Sequence, residues 1–219
     1  TYISIIESKD KKYTHDVINL NFDNTLDLEE AINTICDRAI RSVKKGNVTI
    51  VLSDKKINEF ERDVRRKVMT HLAIGGKEDI GSGLILVSVV IDIERMGDYT
   101  KNIYDLALNH PKKLSTGSLE TIINDMEKST KEFLNKAIDA FKNQDIDLAR
   151  KLMTDYKTDI SSASNDIVNA IVSGANDELS PEVAGSLCLY ARYLKRIAAH
   201  SRNLVSSIVN PFERIGYPE

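Results

Sequence analysis

The chain has few of the residues that interrupt helices and none of the largest aromatic residue. Its 219 residues include only 10 Gly and 4 Pro, and tryptophan is absent. Scarce chain breakers favour long helices joined by short connections. The 8 Tyr and 5 Phe are spread singly along the chain. We therefore expect no platform on which nucleic-acid bases could stack.

The chain also lacks an excess of charge of one sign. It has 30 basic and 33 acidic residues, which give a formal net charge of -3. Sequence-independent binding to nucleic acid needs a basic surface. The composition therefore predicts no nucleic-acid partner.

Cysteine pairs and membrane-length apolar runs are missing as well. Cys36 and Cys188 have no CxxC spacing, and each lies in an apolar helical pattern, as small buried thiols in a reducing compartment do. The longest apolar stretch, Leu84 to Ile93, is about half the length that a bilayer span needs. No signal peptide is visible. We expect a cytoplasmic protein.

The apolar pattern with a period of 3.6 residues predicts six long helices after an extended arm that covers residues 1–23. Two helix starts are well marked, by Asp145 and by the Ser180-Pro181-Glu182 sequence. The predicted helices cover about residues 26–45, 48–72, 84–110, 118–143, 146–172 and 181–209. The third should start after Gly81-Ser82-Gly83 and end before Pro111.

The second three helices repeat the pattern of the first three. Arg95-Met96 and Asn102-Ile103 recur as Arg196-Ile197 and Asn203-Leu204, about 101 residues later. The predicted fold class is all-α, with two tandem three-helix bundles. The predicted domains are the arm (1–23), a first repeat (24–112), a second repeat (113–210) and a tail (211–219).

An acidic stripe lies on the third predicted helix. Glu94, Asp98 and Asn102 stand at i, i+4 and i+8, so they drift only about 80° around the helix axis. Carboxylate and amide oxygens are ligands for hard or borderline cations. The stripe predicts a metal site, for which Asp54 and Glu61 on the second helix are weaker additional candidates.

A structural alternative explains the same acids without a metal. Glu94 and Asp98 could form salt bridges with basic residues of a neighbouring helix. The basic residues available for this are Arg62, Arg65 and Arg66.

The second copy of the stripe has a different character. Lys195 and Ala199 stand where the first copy has its two carboxylates, so we expect no good cation site there. The sixth helix is instead markedly basic, which predicts a solvated or partner-facing surface, or an anion-attracting patch. The candidate residues are Arg192, Lys195, Arg196, His200 and Asn203.

These two motifs resemble those of the PhoU family, regulators of phosphate uptake. That family consists of two three-helix bundles whose third and sixth helices carry a (Glu/Asp)-xxx-Asp signature, typically followed by Asn. Residues 93–103 match the signature throughout, and residues 193–203 keep the arginine, the histidine and the asparagine. The resemblance covers about residues 22–209, and the second copy departs from the signature at Lys195 and Ala199.

The resemblance implies a function and its partners. Family members bind metal clusters at the motif, so it implies iron, manganese, magnesium or zinc in the first repeat, with the identity open. It implies a non-enzymatic cytoplasmic protein that damps phosphate import through a membrane phosphate transporter and a phosphate-responsive sensor kinase. It also implies a homodimer that reaches the inner membrane through these partners.

Two alternatives remain open from the sequence. The chain could be the soluble C-terminal PhoU-like domain of a sodium/phosphate symporter, or a metal-binding helical protein of unrelated role. A ferritin-like enzyme needs Glu-x-x-His pairs, but Gly97 stands three residues after Glu94. No nucleophile elbow or phosphate-binding loop accompanies the four histidines, so we expect no enzyme.

Overall fold

The computed structural model describes residues 15–18, 49–52, 55–74, 77–110, 114–175 and 178–219. The predicted first helix, about residues 26–45, lies outside these ranges, as does most of the predicted arm. The chain separates into two compact units, Thr1–Phe60 and Glu61–Glu219.

The first unit contains a pair of short parallel strands. Strand β1 (His15–Ile18) pairs with β2 (Thr49–Leu52), with His15 opposite Thr49 and Ile18 opposite Leu52. The prediction of a helix beginning near residue 48 is therefore wrong over β2. Three consecutive β-branched residues, Thr49 to Val51, favour an extended backbone there.

The rest of the described chain is helical, which confirms the all-α fold class. The helices are α1 (Lys55–Ile74), α2 (Ile80–Asn109), α3 (Glu120–Asn143), α4 (Ile146–Asp155), α5 (Ser162–Val172) and α6 (Pro181–Val209). A π-helical turn, Tyr156–Ser161, joins α4 to α5. No helix in the described ranges combines the length and the apolar character that a bilayer span requires.

The two predicted helix starts are confirmed by their capping bonds. The Asp145 side chain accepts a hydrogen bond from the Leu148 backbone nitrogen at 3.0 Å, at the start of α4. The Ser180 hydroxyl accepts from the Val183 backbone nitrogen at 3.4 Å, with Pro181 at the first position of α6. Each cap satisfies a backbone donor that the helix itself leaves without a partner.

Helix α2 begins earlier than the glycine-rich sequence predicted. It starts at Ile80, so Gly83 lies within it instead of before it. A Cβ atom at Gly83 would come within 3.1 Å of Val68 and 3.2 Å of Leu72 on α1. Glycine at this position therefore lets α1 and α2 approach closely, and that packing outweighs its low helix propensity.

Helix α6 is central in the second unit because it packs against α2 and also against α3, α4 and α5. The core between α3, α4, α5 and α6 contains several alanines, which allow the helix backbones to come close. Its buried members are Ile123, Met126, Phe133, Ala137, Ala140, Ala149, Leu152, Tyr156, Ile160, Ile167, Leu187, Ala191, Leu194, Ala198 and Val205.

The residues after α6 fold back onto its C-terminal end. The Asn210 side-chain nitrogen donates to the Tyr217 carbonyl at 2.8 Å, and the Gly216 nitrogen donates to the Ser206 hydroxyl at 2.7 Å. Gly216 has a φ of 84°, and a Cβ there would lie 2.9 Å from the Asn203 side-chain oxygen. Only glycine fits both the backbone conformation and the space.

Two leucines on α6 test this packing. Leu187 is 0% exposed, whereas Leu189 is 45% exposed. We expect Leu187→Ala to lower the free energy of unfolding by about 2–5 kcal/mol, because it leaves a cavity in the core. Leu189→Ala should change it by less than about 0.5 kcal/mol. Chemical denaturation followed by circular dichroism measures both variants, and equal losses would contradict the packing described.

Candidate functional site

The predicted acidic stripe lies on the continuous helix α2. The side chains of Glu94 and Asp98 are 14% and 32% exposed, so they lie at the edge of the packed region. Asn102 follows one turn later and is also half-buried. The two carboxylates therefore come from one face of one helix, one turn apart.

Positive charge reaches this pair from its own helix. Arg95 Nε lies 3.5 Å from Glu94 Oε2, and Arg95 Nη1 donates to Asp98 Oδ2 at 3.2 Å. On α1, Arg65 instead pairs with Glu61 at 2.9 Å. The described ion pairs of the two acids are thus made by Arg95 and not by the arginines of α1. Such pairs contribute little at the surface, where Arg95 is exposed.

The surroundings of Glu94 disfavour its ionised form. Burial raises the pKa of Glu94, and the neighbouring charge of Asp98 raises this pKa further. Arg95 lowers it, whereas the charge of Glu61 and a hydrogen bond with Asp98 raise it. Helices α1 and α2 therefore bring three carboxyl groups near one another, at an electrostatic cost that a cation would reduce.

The donor set for a metal is small. Within the described ranges, no three histidine, cysteine, aspartate or glutamate side chains are arranged so that they could hold a metal ion. Glu94 and Asp98 provide two carboxylates, with Glu61 nearby, while Asp54 lies outside the described residues. Two carboxylates fit a cation that keeps several water ligands, such as Mg²⁺ or Mn²⁺.

The second copy of the motif, on α6, carries a cation where the first has an acid. Lys195 Nζ donates to the Asn165 side-chain oxygen on α5 at 2.8 Å. Burial lowers the pKa of Lys195, and the charge of Arg192 lowers this pKa further. Arg192 is exposed, and Ala199 is half-buried and offers no ligand atom. This arrangement is unfavourable for a metal cation.

A buried carboxylate joins α2 to α6. Asp92 and His200 are 7% and 8% exposed. His200 Nδ1 donates to Asp92 Oδ1 at 2.7 Å, and the Asn203 side-chain nitrogen donates to the same oxygen at 2.9 Å. His200 and Asn203 were predicted to belong to a partner or anion surface, but the structure directs both towards α2. The reason is that a buried carboxylate requires hydrogen-bond donors.

Arg196 extends this network to Tyr99 on α2. Its Nη2 donates to His200 Nε2 at 3.2 Å, and its Nε donates to the Tyr99 hydroxyl at 3.2 Å. Its guanidinium group also lies over the Tyr99 ring, 5.5 Å from the centroid. Because arginine has only donors, His200 Nε2 must accept, and the proton of a neutral imidazole then resides on Nδ1.

Sequence reasoning missed the roles of Asp92 and Tyr99. One available signal was Asp92, an acid that interrupts the apolar run just before the acidic pair. At 100° per residue, Asp92 lies on roughly the opposite side of the helix from Glu94. An acid on the buried side of a helix predicts a partner on another helix, although it does not identify that partner.

Comparisons with known proteins place these features in a family. The PhoU domain family matches residues 25–107 and 123–208. The phosphate-specific transport system accessory protein PhoU homolog 1 of Thermotoga maritima is 28% identical over 182 residues, which are 78% of this chain and 76% of that protein. The corresponding PhoU homolog of Aquifex aeolicus is 27% identical over 141 residues, 60% of this chain and 62% of its own length.

A solved structure has the same fold. The crystal structure of the phosphate transport system regulatory protein PhoU from Streptococcus pneumoniae matches with a TM-score of 0.62 and 18% identity. The match covers 83% of this chain and 81% of that chain. The family match over both segments, which covers most of the sequence, shows that the chain belongs to the PhoU domain family.

Proposed function

We propose that this protein is a non-enzymatic regulator of phosphate transport. The observation that carries the proposal is the PhoU domain match over two segments, residues 25–107 and 123–208. The relatives from Thermotoga maritima and Aquifex aeolicus are named as accessory proteins of phosphate-specific transport systems. The family match and these names support the same role here.

The proposed partners are a membrane phosphate transporter and a phosphate-responsive sensor kinase. The protein would act in the cytoplasm, as a homodimer, and would damp phosphate import by contact with these partners. The exposed apolar side chains of α2 support a contact surface, because large apolar groups at a surface favour association. They are Ile80, Leu84, Leu86, Ile93 and Leu108.

We also propose a divalent or trivalent cation at the acidic pair of α2. Glu94 and Asp98 would hold it through carboxylate oxygens, and Asn102 would add an amide oxygen or orient a bound water. When bound, the ion would supply positive charge that stabilises the ionised form of Glu94 against its burial and against the nearby charges of Asp98 and Glu61. This chain's own contribution is to hold three carboxyl groups close together across α1 and α2.

Phosphate uptake tests the regulatory role. Deleting the gene in its own host should raise the initial rate of radiolabelled phosphate uptake in phosphate-replete cells, because the damping contact is lost. A plasmid copy of the wild-type gene is the control and should restore the original rate.

Unchanged uptake after deletion would contradict the regulatory proposal. A gene that encodes transmembrane segments joined to this chain would instead favour the symporter domain. Affinity purification from phosphate-replete cells provides a second measurement. Transporter or kinase subunits should be recovered with the tagged protein and absent from an untagged control.

Metal content tests the acidic pair. The double variant Glu94→Gln/Asp98→Asn should lose bound metal while its helical circular dichroism stays unchanged, because both ligands lie at the edge of the packed region. Elemental analysis after reconstitution with Mn²⁺, iron, Mg²⁺ or Zn²⁺ measures this. Glu132→Gln on α3, which removes an exposed carboxylate, is the matched control and should retain the metal.

The same binding reaction should depend on pH. Because the pKa of Glu94 lies above its ordinary 4.5, protons compete with the metal above pH 4.5, and affinity should rise with pH until Glu94 is fully ionised. Wild-type protein that contains no metal after reconstitution, or equal metal content in the double variant, would refute the site.

A further inference from the structure

Helix α6 carries cations that no carboxylate neutralises among the described residues. Its only acidic residue is Glu182 in the first turn, far from the motif. Arg192 and Lys195 have no ion pair with an acid in the described part of the chain. Arg196 contacts Tyr99 and His200, and His200 in turn binds the Asp92 carboxylate. Arg192 and Lys195, in the middle of α6, therefore carry positive charge that no carboxylate of the described residues pairs with.

The same positions on α2 carry the opposite charge. The offset of about 101 residues between the two motif copies aligns Lys195 with Glu94 and Ala199 with Asp98. The second helix of each repeat follows the same pattern. Glu61 lies near Glu94 in the first repeat, whereas Asn165 binds Lys195 in the second. The charge at the motif therefore favours cations in the first repeat and anions in the second.

Three basic residues and an alanine form a site that we call the basic cradle: Arg192, Lys195, Arg196 and Ala199. The four lie within an arc of about 100° around the axis of α6. Asn165 on α5 holds Lys195 at one edge, and Tyr99 on α2 holds Arg196 at the other. Arg192 is exposed between them, and Ala199, one turn after Lys195, packs partly against the core.

The surroundings of Lys195 disfavour its charged form. Burial and the charge of Arg192 both lower the pKa of Lys195, because each disfavours the ammonium form. A nearby anion would reverse this effect. Guanidinium and ammonium groups are the side chains that bind phosphate groups best, arginine through paired donors and lysine as a compact charge.

We propose that the basic cradle binds a phosphate group, with Arg192 and Lys195 as its direct ligands. Arg196 is a positioning residue, since two of its donors are already used by Tyr99 and His200, and its charge adds to the local potential. A tetrahedral dianion fits because it accepts hydrogen bonds from both ligands at once. Phosphate binding does not depend on the proposed transporter contact, so either proposal can fail while the other stands.

Binding of inorganic phosphate to the purified full chain tests the cradle. At pH 8 and constant ionic strength, titration calorimetry should detect saturable phosphate binding that is absent with chloride. Sulfate, which has the same shape and charge, should compete. Arg192→Ala and Lys195→Ala should each weaken phosphate binding by about tenfold or more, since each removes a charged hydrogen-bond donor.

Lys128→Ala on α3 is the matched control, because Lys128 is also an exposed basic residue outside the cradle. It should leave phosphate affinity unchanged. Arg192→Ala keeps the test valid if Lys195→Ala disturbs folding, because Arg192 is exposed. The binding constant of O-phosphoserine, measured in parallel, distinguishes free phosphate from a phosphorylated partner side chain as the source of the group.

Two results would overturn the proposal. One is a wild-type titration with phosphate that cannot be distinguished from the titration with chloride. The other is a loss of affinity in Lys128→Ala as large as that in Arg192→Ala, which would indicate attraction by net charge alone.

Discussion

The buried Asp92 carboxylate is the interaction on which the arrangement of α2 and α6 depends. Its Oδ1 atom receives hydrogen bonds from His200 and Asn203, which are 108 and 111 residues later in the chain. A buried carboxylate without donors would be costly, so the two helices pack at the register that supplies both. The same register determines which residues of α2 and α6 lie away from their contact, and these residues form the two candidate sites.

The two repeats therefore share a scaffold but differ in their chemistry. On α2, Asp92 faces α6 while Glu94 and Asp98 lie on another side of the helix with Arg95. On α6, His200 and Asn203 face α2, whereas Lys195 lies against the edge of α5 and Arg192 is exposed. Each motif helix thus divides its polar residues between a structural face and an open face. The structural face stabilises the packing, and the open face determines which sign of charge is attracted.

The helices from α3 to α6 could be predicted from sequence because their signals are local. A capping side chain at Asp145 and a Ser180-Pro181 start define helix ends within a few residues. The strand β2 was missed because its apolar residues also fit a helical period. Its β-branched residues favour an extended backbone, and the segment forms a strand. Gly83 was taken as a helix boundary, whereas its contact with Val68 on α1 shows that it serves packing.

The candidate site was only partly predictable for a physical reason. Spacing along one helix shows that Glu94 and Asp98 share a face, because helix geometry is regular. Spacing cannot show that His200 donates to Asp92, because that contact depends on how two distant helices pack. For the same reason, the basic residues of α6 could not be divided in advance into those that bind α2 and those that remain open.

A double-mutant cycle on Asp92 and His200 tests the central claim most directly. Asp92→Asn, His200→Gln and the double variant are compared with the wild type by chemical denaturation. The account predicts that Asp92→Asn alone lowers the free energy of unfolding by about 1–3 kcal/mol and that the pair has a coupling energy of about 1 kcal/mol or more. Additive effects, with a coupling energy below about 0.3 kcal/mol, would contradict the account.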